Sequence, residues 1–219
     1  MPCSTKAMRI LCEDTLKDNV TVIACFEPQG TDFTSTIAWQ VETFWANRKH
    51  YNRGHFNWNS GYAFSIMPTD YFSYQHQQVK SDDLTTIILY EGEYRFFGVR
   101  GGEQDGPKVL NNTKDVINIG WGFYSNFDGM QSVMQWDNVA AGATRVPDGW
   151  APVLSLYVLK NYDGDLYAGG VIDFPLDASR RKWSKDLSTL DANSHAHFKV
   201  VWEPEAQDYV IAFSEIPDS

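Results

Sequence analysis

Apolar residues along this chain recur mainly at every second position, the spacing of strands rather than helices. Residues 20–26 (VTVIACF) and 36–45 (TIAWQVETFW) alternate. The second run assigns Ile37, Trp39 and Val41 to one face and Ala38, Gln40 and Glu42 to the other. Residues 55–67 (HFNWNSGYAFSIM) place Phe56, Trp58, Tyr62, Phe64 and Ile66 together against Asn57, Asn59 and Gly61, with Gly61 marking a bend or bulge. Residues 84–90 and 94–99 are joined by Glu91-Gly92-Glu93, which leaves room only for a tight hairpin. Further strands are expected over 115–124, 130–136, 153–162 and 165–173, the last two joined at Asp163-Gly164, a hairpin dipeptide. Residues 197–202 and 208–214 form a closing hairpin across residues 203–207.

About eleven short strands separated by Gly, Pro, Asp and Asn predict an all-β fold: an irregular antiparallel β-sandwich or barrel with little helix. The helical candidates are residues 5–17 and 179–190, where Leu187 and Leu190 could cap an open end of the fold. No internal repeat is present, which disfavours trefoils and propellers. At 219 residues and 24.9 kDa a single β domain over 1–219 is expected, with residues 1–18 a short extension or helix.

Charge narrows the partners. Eighteen basic against 28 acidic residues leave a net charge of −10, which repels phosphate backbones and anionic membranes. Neither nucleic acid nor a membrane is therefore an expected partner. Cys3, Cys12 and Cys25 are odd in number and lack metal-ligand spacing, so reduced thiols are expected. No leader-like apolar stretch stands at residues 1–9, and the expected location is the cytoplasm. Asn19-Val20-Thr21 and Asn111-Asn112-Thr113 fit the glycosylation triplet, which matters only in a secreted chain.

Each familiar catalytic pattern is incomplete. His195 and His197 alternate on one strand face as two metal ligands could, but Glu203 is too far along, and polar residues at a strand entrance explain them better. No metal and no cofactor are expected. Asn161 to Asp165 lacks the remaining ligands of a calcium loop and reads as a turn. Glu91 and Glu93 flank a turn, and with 28 acids such pairs arise by chance, which weakens glycoside hydrolysis. No Gly-x-Ser-x-Gly elbow exists, and Cys25 lies in an apolar strand that disfavours a thiolate. Gly120-Trp121-Gly122 lacks the third glycine and the helix of a dinucleotide site, and so reads as a bulge or a close approach.

What remains is aromatic residues interleaved with amides and arginine: Trp39 with Gln40, Trp58 with Asn57 and Asn59, Tyr94 with Arg95, Trp121 with Asn118, Trp136 with Gln135. Most such rings belong to the core, and the rest suit a pocket for a sugar or an apolar polycyclic molecule. Trp39, Trp58, Tyr94, Trp121 and Phe123 are the candidate walls, and Arg95, Gln40, Asn57 and Tyr90 the candidate hydrogen-bonding catalytic groups.

The run Thr36-Ile37-Ala38-Trp39-Gln40-Val41 after Phe26-Glu27-Pro28, and the stretch from Asn111-Asn112-Thr113 through Ile119-Gly120 to Trp150-Ala151-Pro152-Val153-Leu154, resemble small all-β fungal proteins. Some of these resemble cofactor-free natural-product pericyclases of the hetero-Diels-Alderase type. The resemblance spans about half the chain and implies a cofactor-independent cyclase acting on a small apolar intermediate. It assigns no catalytic residue. The competing expectation is a lectin-like sugar binder with Trp and Tyr stacking. A homodimer through an edge strand is compatible with either.

Overall fold

The computed structural model describes residues 5–12, 15–28, 32–48, 53–59, 61–67, 75–102, 106–125, 129–176, 178–190 and 194–217. In chain order the strands are β1 (Thr5–Leu11), β2 (Val20–Phe26), β3 (Ser35–Thr36), β4 (Ala38–Phe44), β5 (Arg53–Asn59), β6 (Tyr62–Met67), β7 (Gln75–Val79), β8 (Leu84–Tyr90) and β9 (Glu93–Arg100). There follow β10 (Lys108–Asn111), β11 (Ile117–Ser125), β12 (Gly129–Val139), β13 (Thr144–Arg145), β14 (Val153–Lys160), β15 (Arg181–Asp186), β16 (Ser194–Glu203) and β17 (Asp208–Pro217). Single 3-10 turns at Ala178–Arg180 and Leu187–Thr189 are the helical content among the described residues.

The fold is all-β, as the periodicity predicts. The four open sheets favour the sandwich over the barrel. Two details differ from expectation. The pairings are not uniformly antiparallel, because β1 runs parallel to β16 and β10 parallel to β8. Among the described residues seventeen strands also replace the expected eleven: the polar β7 and the short β3, β10 and β13 carry too little apolar alternation to be seen, β1 and β15 read as helix, and 55–67 divides into β5 and β6, while 165–173 is no strand.

The chain divides into two compact units, one of Met1–Glu27, Ala38–Trp58 and Pro152–Ser219, the other of Pro28–Ile37 and Asn59–Ala151. The expected single strands over 36–45 and 55–67 are each split between the units, the second one close to Gly61.

In the first unit, sheet β17-β16-β1-β5 faces sheet β15-β14-β2-β4. Leu156 lies opposite Ala24 and Trp183, so these share a face. Trp183 on that face packs on Phe198 at 4.7 Å and Phe213 at 5.1 Å, both from the other sheet. The opposite face of β2 and β14 is also buried, which explains why VTVIACF and VLSLYVLK read as near-continuous apolar runs. There Ile23, Cys25, Ala38, Tyr157 and Leu159 are covered by Tyr162, Leu166, Ile172, Phe174 and Leu176.

This cover corrects the expected strand over 165–173. Residues 161–176 form no hairpin at Asp163-Gly164; Asn161 takes the positive φ, and the segment meets the sheet edge only in a short bridge, where Gly169 and Gly170 bond to Ala38, and otherwise lies across the sheet face. Tyr162, Leu166, Ile172, Phe174 and Leu176 pack on the sheet, while Tyr167 and Val171 are exposed.

The expected helix over 5–17 is β1. Lys6, Met8 and Ile10 are buried at strand spacing, but Met8, Leu11, Cys12 and Leu16 also fit a helical stripe, and pairing with β16 decides between the two. Lys6 is buried on an ion pair with Glu215 at 3.0 Å. Residues 179–190 likewise hold β15 between the two 3-10 turns, with Leu187 and Leu190 buried.

Of the two glycosylation triplets, the one at Asn111 is closed off. Asn111 is fully buried and its amide donates to the Asp115, Val139 and Ala140 carbonyls. Asn19 accepts from the Ala46 amide at 2.8 Å, and Thr21 is buried within β2.

Candidate functional site

The second unit contains a five-stranded sheet, β3-β12-β11-β6-β7, whose centre is the Gly-Trp-Gly segment of β11. Strand alternation sends Ile119, Trp121 and Phe123 to one face and Gly120 and Gly122 to the other. Opposite residues of antiparallel strands share a face. β6 sets Phe64 against Trp121 and Tyr62 against Phe123, and β12 sets Trp136 against Ile119 and Met134 against Trp121. One sheet face thus gathers Tyr62, Phe64, Trp121, Phe123 and Trp136.

The rings touch. Tyr62 stacks nearly parallel on Trp121 at 5.2 Å, and Phe64 meets Trp121 at 5.0 Å and Trp136 at 6.3 Å. Phe33 stacks on Trp136 at 4.2 Å, and Trp150 stands 6.4 Å from Phe33 and 6.2 Å from Phe123. Trp121, Phe123, Phe64 and Trp136 are buried, whereas Tyr62, Phe33 and Trp150 are half-buried and form the rim.

The two glycines let this face form. A Cβ on Gly122 would lie 2.0 Å from the Gln131 carbonyl oxygen of β12, and the ladder shifts register between Trp121 and Gly122. Gly120 underlies a small polar group, the Ser65 and Ser132 hydroxyls hydrogen-bonded at 2.9 Å. The sequence-based reading of Gly120 and Gly122 as bulge and close approach holds.

Electrostatics separate the two central indoles. Trp136 Nε1 donates to Asp32 Oδ1 at 2.6 Å, and Arg145 Nε lies 3.7 Å from Asp32 Oδ2. Trp121 Nε1 is equally buried and meets no acceptor among the described residues. An unsatisfied buried N–H costs about 1–3 kcal/mol. Nearby, Asp137 accepts from Thr34 Oγ1 at 2.8 Å and from Ser35 and Gln135. Burial opposes its charge, but the Ser35, Gln135 and Thr34 hydrogen bonds prevail and hold its carboxyl below the usual range. Asp137 ties the Phe33 segment to β12 and so fixes the stacked ring.

The candidate residues named from sequence fall in several places. Trp121 and Phe123 stand together on the aromatic face. Tyr90 and Arg95 meet each other at 5.5 Å on the exposed β8–β9 hairpin, where Arg95 also pairs with Glu93 at 2.8 Å and Tyr94 donates to Asp115 at 3.0 Å. Trp39, Gln40, Asn57 and Trp58 belong to the first unit. Trp39 is buried 5.1 Å from Phe26, Gln40 is half-buried, Trp58 is buried and Asn57 is exposed.

The expected alternation of β4 is broken by a bulge. The ladder shifts between Ala24 and Cys25, so that Ala38 and Val41 face the covering segment while Gln40, opposite Ala24, faces the other sheet. His195 and His197 alternate on β16 and are half-buried, on the face away from Phe198.

Sequence reasoning did not select Tyr62, Phe33 or Trp150 for the site, nor the Trp136–Asp32 bond, which spans 104 positions. The alternation of 55–67 does place Tyr62 and Phe64 on one face, and that signal could have found them.

A second polar centre lies in the first unit. Glu27 accepts from Tyr157 at 2.5 Å and from Arg181 Nη1 at 3.2 and 2.9 Å. Burial opposes its charge, but hydrogen bonds from Tyr157, Ser155 and Arg181 and the Arg181 charge lower its pKa. Burial, then the bond to Glu27, raises the Tyr157 phenol. Cys25 beside it is pushed up to about 12, by burial first and Glu27 second. A carboxylate so fully engaged, with a suppressed phenol and thiol, pins strand ends together rather than offering a reactive group.

No protein-family model matches the chain, and no curated protein sequence matches it.

Proposed function

We propose that the protein binds a small, largely apolar molecule bearing a hydrogen-bond acceptor against the aromatic face of the second unit. There it would act as a cofactor-independent cyclase of pericyclic type. The observation that carries this reading is the buried Trp121 N–H, which lacks an acceptor among the described residues, beside a neighbouring indole that has one. A ligand carbonyl at Trp121 Nε1 would satisfy that donor and recover its cost. Tyr62, half-buried and stacked on Trp121, is the ring that would swing aside to admit a planar ligand.

Such a site suits ring closure without cofactors. Two π bonds are exchanged for two σ bonds, and no proton, electron or leaving group departs. The protein's part is to hold the reacting ends together, worth several kcal/mol, and to donate a hydrogen bond to the carbonyl that draws electron density from the reacting system.

The lectin-like alternative finds less support. Sugar stacking needs exposed indoles, and of the eight tryptophans only Trp45 is exposed, with no second exposed indole to join it.

Fluorenone and fluorene differ by one carbonyl and test the reading by Trp fluorescence. Fluorenone should bind the native protein about tenfold more tightly, the equivalent of one hydrogen bond. Trp121→Phe should abolish that difference. No quenching by either compound at high micromolar concentration, or a preference that persists in Trp121→Phe, would refute the proposal.

A further inference from the structure

Among the described residues β9 ends its sheet, in the order β13-β10-β8-β9. Around it lie Leu89, Tyr90, Val99 and Phe97, all exposed, Phe97 to 67%. An edge of this length with apolar side chains is a template for another strand.

The hairpin turn determines which backbone groups the edge offers. Glu91 and Gly92 have φ of 51° and 83°, as in a two-residue turn of type I′. The flanking pair Tyr90 and Glu93 exchanges hydrogen bonds in such a turn, and bonded and non-bonded pairs alternate away from it. Ile88 and Arg95 are therefore bonded, whereas Leu89 with Tyr94 and Ile87 with Phe96 are not. The N–H and C=O of Tyr94 and Phe96 consequently point away from β8.

Side chains follow the same register. Tyr94, Phe96 and Val99 lie opposite Leu89, Ile87 and Thr85 on one face, and Glu93, Arg95, Phe97 and Arg100 lie on the other. Gly98, at φ 68°, is the extra residue at the register shift between Thr85 and Thr86, and it keeps Val99 and Arg100 on alternating faces.

We propose that β9 pairs antiparallel with β9 of a second copy of this chain, about a two-fold axis at Phe96. With Gly98 bulged out, Phe96 faces its own counterpart, Arg95 faces the partner's Phe97, Tyr94 the partner's Val99 and Glu93 the partner's Arg100. Symmetry doubles every contact except the central one, giving two opposite-charge pairs and two Arg–Phe cation–π contacts. A two-fold at Arg95 would oppose like charges, and one at Phe97 would rely on backbone groups already turned to β8. Phe96 is one of two positions whose backbone groups point away from β8; a two-fold at the other, Tyr94, would pair Glu93 with the partner's Arg95 but carry residues 97–100 past the partner's turn, so the register about Phe96 is the one that uses the charges of the whole strand.

Sedimentation velocity over low to high micromolar concentration tests this. The native chain should approach twice 24.9 kDa, with the Phe96 amide protected from hydrogen exchange in the dimer and exposed on dilution. Phe97→Lys alters an exposed side chain, should keep the native circular dichroism and should leave a monomer. Glu93→Arg and Arg100→Glu should each weaken association about tenfold or more, and their combination should restore it. A chain monomeric at every concentration, a dimer indifferent to Phe97→Lys, a joint swap that fails to restore pairing, or β9 occupied by a different protein would overturn the proposal.

Discussion

Alanine at Gly122 tests the geometry that seats Trp121. Its Cβ would lie 2.0 Å from the Gln131 carbonyl oxygen and 2.7 Å from the Ser132 Cα. Both are backbone atoms of β12, so relief requires the strands to part where their register already shifts. Non-bonded carbons pack best at about 3.5–4.0 Å, which implies a separation of roughly 1 Å. One or two ladder hydrogen bonds lost at about 1 kcal/mol each, with about 1–3 kcal/mol of overpacking strain, give a cost of about 2–5 kcal/mol.

Gly120→Ala is the internal control. Its Cβ would meet the Ser65 Oγ at 2.3 Å, the Ser132 Oγ at 2.8 Å and the Met67 Sδ at 3.0 Å, all ends of side chains that can turn. The turn costs one hydroxyl hydrogen bond, about 1 kcal/mol, partly offset by about 0.5 kcal/mol from the restricted unfolded chain. Urea unfolding followed by Trp fluorescence and near-ultraviolet circular dichroism should show the Gly122→Ala midpoint falling more than twice as far as that of Gly120→Ala. Equal midpoints, or a Gly122→Ala effect within about 0.5 kcal/mol of the native protein, would refute the close approach.

Two further outcomes follow from the first unit. At Asp208 burial opposes the charge, but hydrogen bonds from Lys182 at 2.7 Å and Lys160 at 3.0 Å, with the Tyr209 amide, bring its pKa down to about 2. Because the folded pKa is depressed, its stabilisation is present above the ordinary value of 3.8 and fades as pH falls from there toward 2. With the side chain 31% exposed, solvent screening limits this to about 1 kcal/mol, and Asp208→Asn should lose that pH dependence in urea titrations between pH 5 and 2. Cys25 is a buried thiol whose pKa burial pushes up to about 12, so Ellman's reagent at pH 8 should leave it unmodified until urea unfolds the chain. Modification of Cys25 in the native protein would contradict its placement between two buried strands.

The sequence made strands legible wherever one face or both were apolar. β2, β8, β9, β11, β14, β16 and β17 all coincide with alternating or continuous apolar runs. Segments whose pattern served two periods were misread. Met8, Leu11, Cys12 and Leu16 satisfy helix and strand alike, and only pairing with β16, nearly two hundred positions away, selects the strand. Residues 165–173 alternate as a strand does, but Leu166 and Ile172 pack on a sheet face, and face-on packing leaves the same trace in sequence as edge pairing.

The candidate site was partly legible. Trp121 and Phe123 stand out through their glycine neighbours and strand phase, and so does the hairpin that carries Arg95. What marks Trp121 apart from Trp136 is a single carboxylate at Asp32, a contact between distant positions that no local pattern encodes.

The most direct measurement is the indole N–H region of a nitrogen-15 spectrum, with Trp121 assigned by its absence in Trp121→Phe. On addition of fluorenone the Trp121 N–H should move downfield and exchange more slowly, as expected of a donor that gains an acceptor, while Trp136, already bonded to Asp32, stays in place. An unmoved Trp121 resonance under saturating fluorenone, or a response confined to the exposed Trp45, would contradict the assignment of this face as the binding site.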